Sequence, residues 1–317
     1  MDPLSDVLRV IRLAGGVFLE AEFTAPWCVS GQLASNDCTP FIEAPRHVIA
    51  SHFVAAGRMQ LQPEGGDAIE VQAGEIVLLP HNSAHTFGSQ LTPVPVPARD
   101  IMQAPKEGGL SRIVHGGGGE TTQLLCGFLG SNTPFNPLLS ALPPVLKLNV
   151  RSTVSGAWME SSFRFAASQI AAGHLGSATV IAKLSELLFV EAVGQYVASL
   201  PADRRGWLAA LRDPQIGRAL ALLHARPTDA WTTESLALEV GMSRSVFADR
   251  FSSIVGQPPM QYLALWRMQM AAQNLRDGHR SVAQVAASIG YESEAAFSRA
   301  FKRQFGESPG TWRKQAR

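Results

Sequence analysis

Two copies of one helix-turn-helix pattern stand in tandem near the C-terminus of this 317-residue chain. Each copy has an Ala four residues before a Gly, then a Phe pair spaced i, i+4, and then a second Gly. The copies are Ala237, Gly241, Phe247, Phe251, Gly256 and Ala286, Gly290, Phe297, Phe301, Gly306. The Ala lets another helix approach, the first Gly suits a helix end with positive φ, and the Phe pair forms an apolar face. One copy is weak evidence, but the repetition predicts two recognition helices, over 243–255 and 293–305.

The segment between the copies predicts a long helix that joins them. Pro258 and Pro259 suit a helix start, apolar residues recur at helical spacing up to Leu275, and Asp277-Gly278 ends the pattern. About 18 residues at roughly 1.5 Å each give a rod of about 27 Å. Successive major grooves of DNA are about 34 Å apart, so this rod suits two helices that read neighbouring grooves. The alternative is a plain helical bundle.

The second copy and its flanks resemble the AraC/XylS family of bacterial transcription regulators. The residues that carry the resemblance are Gly290-Tyr291-Glu292-Ser293, Phe297-Ser298-Arg299-Ala300-Phe301-Lys302 and Gly306-x-x-Pro309. The resemblance covers about residues 213–315 closely and the rest of the chain more loosely. It implies a sequence-specific regulator that binds double-stranded promoter DNA and is not an enzyme. An activator is expected rather than a repressor, and RNA polymerase is a candidate partner.

The outward faces of the two predicted recognition helices supply the candidate DNA contacts. By resemblance, base contacts fall at Arg244, Ser245, Ala248, Asp249, Glu294, Ala295, Ser298 and Arg299. Arg299 is the strongest candidate, because a guanidinium can donate two hydrogen bonds to guanine. Asp249 is expected either to accept from a cytosine amino group or, preferably, to pair with a neighbouring arginine. Arg250, Lys302 and Arg303 are expected to meet phosphates, and the alternative for these cations is a solvated surface.

Composition and charge agree with a folded protein that binds DNA through its C-terminal part. The chain is 46% hydrophobic and 17% charged, as in folded domains. Residues 212–317 hold 14 Lys/Arg against 9 Asp/Glu, whereas residues 1–211 hold 13 against 17. The N-terminus does not look like a signal peptide, no apolar run approaches the length of a membrane span, and the three cysteines do not form a disulfide framework. A cytoplasmic protein is therefore expected.

The N-terminal part is predicted to begin with a short helix over 2–13 and to continue as an all-β barrel or sandwich. Short β-type runs separated by turn residues predict strands over 17–23, 46–54, 58–62, 69–71, 76–79 and 123–129. Residues 91–120, which contain Pro93-Val94-Pro95-Val96-Pro97 and four consecutive glycines, are expected to be a linker or surface excursion.

The segment from Gly74 to His85 resembles the second cupin motif, in which a Gly starts a strand, a Pro ends it and a His points into the barrel. Gly74, Pro80 and His85 match, but Asn82 stands at a usual Gly and Ala50 at the expected Glu of the first motif. A metal site normally needs about three protein ligands, so no metal or other cofactor is expected. The resemblance implies a sensor domain, with Trp27, His52 and His85 as candidates for lining a small-molecule site.

Two alternative functions stay open at this point. Cupin barrels also host metal-dependent enzymes, although the first metal motif is not evident here. The other alternative is a regulator that senses oxidants through Cys126, which is expected to be buried and has no basic neighbour in the sequence to lower its pKa.

Together these patterns predict a two-domain α+β protein. Residues 1–150 form a cupin-like sensor domain, 151–205 a helical dimerisation and linker region, and 206–317 an all-α tandem helix-turn-helix domain. Helices are expected over 152–171 and 177–200, with a hinge at 201–206. Similar helices pair two subunits in related regulators, so a homodimer is expected; the alternative is packing against the chain's own barrel.

Overall fold

The structure, a computed structural model, describes residues 3–11, 13–39, 42–92, 94–104, 110–133, 137–150, 161, 165, 177–201, 206–278 and 280–314. The chain divides into two units. The barrel unit comprises Leu13–Asn132 and Leu142–Tyr196, and the helical unit comprises Met1–Arg12, Thr133–Ala141 and Val197–Arg317. The predicted boundaries at 150 and 205 stay predictions, and the predicted helix over 152–171 and most of the hinge lie outside the described residues.

The barrel unit is built from two β-sheets. Its strands are β1 (Ala14–Thr24), β2 (Cys28–Gly31), β3 (His47–Ala56), β4 (Arg58–Pro63), β5 (Ile69–Gln72), β6 (Glu75–Leu79), β7 (His85–Gly88), β8 (Val96–Pro97), β9 (Ser111–Gly116), β10 (Thr121–Ser131) and β11 (Leu146–Asn149). One sheet has the order β11-β6-β3-β10-β1-β9 and the other β5-β4-β7-β2-β8. All neighbours are antiparallel except β1 with β9 and β2 with β8. All six predicted strands are confirmed.

The core of the barrel unit lies between the two sheets. The alternating burial of β4, in which Met59 and Leu61 point inward, is the pattern of a strand with one face on a core. The cluster includes Phe23, Val54 and Val77 from the first sheet and Val29, Leu61 and Phe87 from the second. Phe23 stacks on Trp27 with ring centroids 4.0 Å apart. These contacts place aromatic side chains in the middle of the barrel.

The prediction of a linker over 91–120 was wrong in part. The segment contains β8, a short helix α2 (Ala98–Ile101) and β9, which pairs with β1 from Leu19↔Ser111 to Thr24↔Gly116. Strand β9 lies at a sheet edge and buries one residue, Ile113. An edge strand with so little buried surface lacks the hydrophobic alternation by which strands are predicted.

The helical unit contains α1 (Pro3–Ile11) and α3 (Pro137–Ala141), and α4 (Ser177–Ser199) runs from the barrel unit into it. It continues with α5 (Trp207–Ala210), α6 (Pro214–Ala225), α7 (Thr233–Glu239), α8 (Arg244–Val255), α9 (Pro259–Arg276), α10 (Val282–Ser288), α11 (Glu294–Phe305) and α12 (Pro309–Lys314). The predicted N-terminal helix and the helix over 177–200 are confirmed. Across the described ranges, none of the helices has the length and apolarity that a membrane span requires.

A buried hydrogen-bonded trio joins three helices of the helical unit. Trp207 Nε1 donates to Tyr262 Oη at 3.0 Å, and Tyr262 Oη lies 2.8 Å from His224 Nε2. Burial lowers the pKa of His224 to about 3, a shift that an interaction with the Pro3 backbone opposes, so the ring is neutral. Because the indole can only donate, the hydroxyl accepts from Trp207. Helices α5, α6 and α9 are thereby fixed together.

Candidate DNA-binding surface and barrel interior

Helices α8 and α11 are built alike, as the sequence repeat predicts. Each has 12 residues, an N-cap Ser, and a C-cap Gly in the left-handed region, with φ of 86° at Gly256 and 80° at Gly306. Each buries its Phe pair completely: Phe247 and Phe251 in α8, and Phe297 and Phe301 in α11. A fully buried i, i+4 pair fixes how each helix is rotated about its own axis. The opposite face of each helix is therefore exposed.

The helices that precede α8 and α11 are also alike. Helix α7 starts at a capping box of Thr232 with Ser235, and α10 starts at one of Ser281 with Gln284. Both helices end before a glycine with positive φ, 71° at Gly241 and 83° at Gly290. The helical unit thus contains two complete helix-turn-helix motifs.

The predicted DNA-contacting side chains lie at the surface. Ala248 and Ser298 are half-buried, and the others are exposed: Arg244, Ser245, Asp249, Arg250, Glu294, Ala295, Arg299, Lys302 and Arg303. Ser252 is half-buried and Ser253 exposed beyond Asp249. Neither serine was predicted as a contact, although the spacing from Phe247 and Phe251 places both near the outward face.

Arg250, for which a phosphate contact is predicted, is hydrogen-bonded within the protein. Its Nη2 lies 2.7 Å from Asp213 Oδ2, and its Nη1 donates to Gln215 at 3.2 Å. Asp213 also caps α6 by accepting from the backbone N–H of Gln215 and Ile216. Asp249 was expected to pair with a neighbouring arginine, but it forms no ion pair with any described residue. The ion pair instead fastens α8 to the start of α6.

Helix α9 holds the two motifs together, as its apolar pattern predicts. Its first half packs against α8, where the Tyr262 ring meets Phe251 edge-on at 6.0 Å. Its second half, including Met268 and Leu275, belongs to the core around Phe297 and Phe301. Arg267, between these halves, donates to the backbone carbonyls of Pro227 and Asp229. The spacing of the two recognition helices is therefore set by α9, which packs against both motifs.

The three predicted ligand-site residues come together in the barrel core around Phe87. The Phe87 ring lies 5.9 Å from Trp27, 4.8 Å from His52 and 5.6 Å from His85 between centroids. All three predicted side chains are buried, with exposed fractions of 2% for Trp27, 7% for His52 and 5% for His85. Phe87 was missed, although it lies two residues after His85 and therefore on the same strand face.

A directed chain of hydrogen bonds runs through the two histidines. Cys126 and His52 are cross-strand partners on β10 and β3, with Sγ 3.0 Å from Nδ1. His52 Nε2 lies 2.8 Å from His85 Nε2, and His85 Nδ1 lies 2.9 Å from the Ser83 carbonyl oxygen. Because that carbonyl can only accept, His85 carries its proton on Nδ1. His52 then donates from Nε2, and its Nδ1 accepts from the Cys126 thiol.

Burial keeps the three side chains of this hydrogen-bond network uncharged. Desolvation and the neighbouring His85 lower the pKa of His52, and desolvation lowers that of His85 although the Ser83 carbonyl opposes the shift. Burial raises the pKa of Cys126 to about 12. The expected burial of Cys126 is confirmed, and the structure adds a histidine partner distant in sequence. Cys126 and His85 contact different nitrogens of His52, so the three do not converge on one point; the described residues contain no group of three or more metal-type ligands.

Comparisons with known proteins agree with this architecture. Residues 2–198 match a family described as Cupin, and residues 236–315 match one described as Helix-turn-helix domain. The HTH-type transcriptional regulator AlkR of Acinetobacter baylyi is 30% identical over 100% of both chains. An AraC-like transcription regulator of Streptomyces lividans is 32% identical over 99% of this chain and 98% of its own. This chain belongs to the AraC-like transcription regulators.

Two further proteins are similar to this AraC-like regulator. The RCS-specific HTH-type transcriptional activator RclR of Escherichia coli is 29% identical over 85% of this chain and 86% of its own. The DNA-binding domain of AdpA, solved in complex with a target DNA, is 33% identical over 32% of this chain and 92% of that chain, with a TM-score of 0.31. The AraC-like regulator is a DNA-binding transcription factor and not an enzyme, so the alternative of a metal-dependent cupin enzyme is set aside.

Asp213→Ala should lower the free energy of unfolding of the AraC-like regulator by about 1–2 kcal/mol at pH 7, because it removes a helix cap and an ion pair. Burial alone would raise the pKa of Asp213. Hydrogen bonds from Ile216, Arg250 and Gln215 and the charge of Arg250 outweigh this effect, so the pKa lies below its usual value. The carboxylate therefore stabilises the fold above its unfolded pKa of about 3.9, and this contribution disappears as the pH falls through the native pKa. Denaturant unfolding at several pH values measures both effects.

The control for this prediction is Asp229→Ala. Asp229 forms an exposed pair with Arg226 at 3.7 Å, which should contribute less than about 1 kcal/mol. An equal loss in both variants, or a loss in Asp213→Ala that persists unchanged at low pH, would contradict the assigned role of Asp213.

Proposed function

We propose that this transcription factor is an effector-responsive activator that binds promoter DNA in the cytoplasm as a homodimer. Each subunit would place α8 and α11 in successive major grooves. The observation that supports this most directly is the matched construction of the two helices on one 18-residue helix, α9. A rod of about 27 Å, with a recognition helix beside each end, suits grooves about 34 Å apart.

In this proposal, base contacts come from Arg244, Ser245, Ala248, Asp249, Glu294, Ala295, Ser298 and Arg299. Lys302 and Arg303 contact phosphates, because both are exposed in the last turns of α11. Arg250 is assigned a different role from the one expected: its ion pair with Asp213 positions α8. Arg299 is the proposed guanine contact, since its planar donors match O6 and N7.

The proposed effector site is the barrel interior around Trp27, His52 and His85. Trp27 Nε1 is buried and has no hydrogen-bond partner among the described residues, and an unsatisfied buried donor is costly unless an acceptor reaches it. The histidines stay neutral, and the surrounding core cluster is apolar. A buried ion would lack a counter-charge there. We therefore infer that the effector is a small, uncharged, largely apolar molecule that carries a hydrogen-bond acceptor.

Oxidant sensing through Cys126 is the weaker candidate. The Escherichia coli relative is named an RCS-specific activator, a name that describes that protein. In this protein, the 3.0 Å contact with His52 gives Cys126 a proton acceptor. However, the thiolate is the reactive form of cysteine, and burial raises the pKa of Cys126 to about 12. At neutral pH the group is a buried thiol, which favours the small-molecule effector.

The proposed dimer contact is a largely apolar seam on α4, which also carries the exposed Lys183. Val180, Leu187 and Gly194 are spaced by seven residues, and Val190 lies beside them on the same face. The exposed fractions are 49% for Val180, 42% for Leu187 and 38% for Val190. A Cβ added at Gly194 would meet nothing within 4 Å. Heptad spacing with a small residue suits the close packing of a second helix, and the proposed occupant is α4 of a second copy.

Arg299→Ala should weaken binding to the preferred DNA sequence by about 1–3 kcal/mol and relax the preference at one base position, because two hydrogen bonds to guanine are lost. The preferred sequence would be obtained by selection from random duplex DNA with the full-length protein, and affinities by fluorescence anisotropy. Arg218→Ala is the charge-matched control, since Arg218 is exposed on α6 outside both recognition helices. Equal weakening by Arg299→Ala on all sequences would make Arg299 a phosphate contact instead.

Leu187→Glu should weaken self-association by about 10- to 100-fold, because the dimer would lose a leucine that it buries and an unpaired carboxylate would enter the interface. Sedimentation velocity over a concentration series measures the effect. Gln60→Glu adds the same charge to an exposed position of β4, outside α4, and should leave self-association unchanged. A monomeric wild-type protein, or equal behaviour of the two variants, would argue against the α4 seam.

Neutral ketones and esters should raise the thermal midpoint of the full-length protein in proportion to the logarithm of their concentration, whereas carboxylates of the same skeleton should not. Trp27→Phe should reduce the affinity by about 5- to 10-fold, because it removes the indole donor. Trp231→Phe, in the helical unit, is the control. Carboxylates as the only ligands, or an unchanged response in Trp27→Phe, would contradict this assignment.

With purified RNA polymerase, the same ligand should increase transcription, and a decrease would indicate a repressor.

A further inference from the structure

The two recognition helices present opposite charges at equivalent positions of their outward faces. Counting from the buried Phe pair, Asp249 in α8 corresponds to Arg299 in α11, and Ser253 corresponds to Arg303. All four side chains are exposed. In a helix with 3.6 residues per turn, the residue midway between an inward i, i+4 pair points almost directly outward. Asp249 and Arg299 therefore occupy the centres of the two surfaces that would enter DNA.

The first turns of the two helices show the reverse arrangement. Helix α8 begins with Arg244, whereas α11 begins with Glu294. Arg250, another cation of α8, is tied to Asp213 and Gln215 and so is turned away from the outward centre. Helix α11 adds Lys302 to Arg299 and Arg303, all three exposed. Positive charge is thus concentrated along the outward side of α11, while the centre of α8 is acidic.

These surfaces suit bases of opposite hydrogen-bonding character. A guanidinium is a donor and matches the O6 and N7 acceptors of guanine. An ionised carboxylate only accepts, and the base edge that best satisfies it in the major groove is the N4 amino group of cytosine. Asp249 is free of described ion pairs, so its carboxylate is available for this contact. Because phosphates repel a carboxylate, a helix with an acidic outward centre, such as α8, contributes little binding free energy on non-specific DNA.

We propose that the two motifs divide the work of recognition: α11 supplies most of the phosphate-dependent affinity, and α8 discriminates by requiring a cytosine at Asp249. This rests on the proposed tandem reading of DNA. The Arg250–Asp213 pair supports the division, because it holds α8 rigidly on α6 without using phosphate. Asp249 is then a specificity-determining residue whose carboxylate penalises bases that offer it no donor.

The test uses full-length protein and selection from random duplex DNA, in parallel for wild type, Asp249→Asn and Asp249→Ala. Asn donates and accepts, which matches adenine N6 and N7. Asp249→Asn should therefore change one preferred base from cytosine to adenine in the segment read by α8, and leave the segment read by α11 unchanged. Asp249→Ala should reduce the preference for cytosine at that position by about 5- to 10-fold without weakening binding to unrelated DNA.

Salt dependence supplies the second measurement. Lys302→Ala with Arg303→Ala should reduce the slope of log K against log salt by about 2, near one per lost phosphate contact, whereas Asp249→Ala should not reduce it. Unchanged thermal midpoints in all variants would show that the fold is intact. If wild type and Asp249→Asn select the same preferred bases, the proposed division between α8 and α11 is wrong, but the tandem reading of DNA is not affected. Failure of wild type to enrich any sequence would overturn the proposed tandem reading and this inference with it.

Discussion

The burial of one phenylalanine pair in each recognition helix is the constraint on which the DNA-binding part depends. Phe247 with Phe251, and Phe297 with Phe301, have no exposed surface. A shift of either helix by one residue would rotate it by about 100° and expose an aromatic ring. The cost would be about 1.5–3 kcal/mol for each ring. This penalty fixes which residues face outward, so side chains such as Asp249 and Arg299 can be placed with no DNA present.

The shared helix α9 converts two separate motifs into one reader. Its buried residues contribute to both cores, and Trp312 from α12 closes the second core by donating to the Ala272 carbonyl at 3.1 Å. Arg267 binds the 227–229 loop from the middle of α9. A change in the angle between the motifs would have to break these contacts. The reader is therefore expected to respond to a signal as a whole, through its placement on DNA or its pairing with a second subunit.

The sequence predicted the features that depend on local patterns. The Phe pair of each recognition helix and the glycine that ends it are local features, and both are present in each motif of the structure. The ion pair of Arg250 joins residues 37 positions apart, and the contact of His52 with Cys126 spans 74. Such contacts depend on how helices and strands are brought together, which a motif does not encode. Strand β9 was missed for a related reason, since its pairing with β1 rather than its own composition makes it a strand.

The neutral interior of the barrel limits how the proposed effector could act. The Ser83 carbonyl fixes the proton on His85, which fixes the protons on His52 and directs the Cys126 thiol, so the polar chain has one orientation and no net charge. An uncharged ligand that displaced or joined this chain would change packing around Phe87 without creating a long-range field. Helix rotation or strand displacement is then the available route for a signal from the barrel, because both can be driven by a change of shape at a close-packed core.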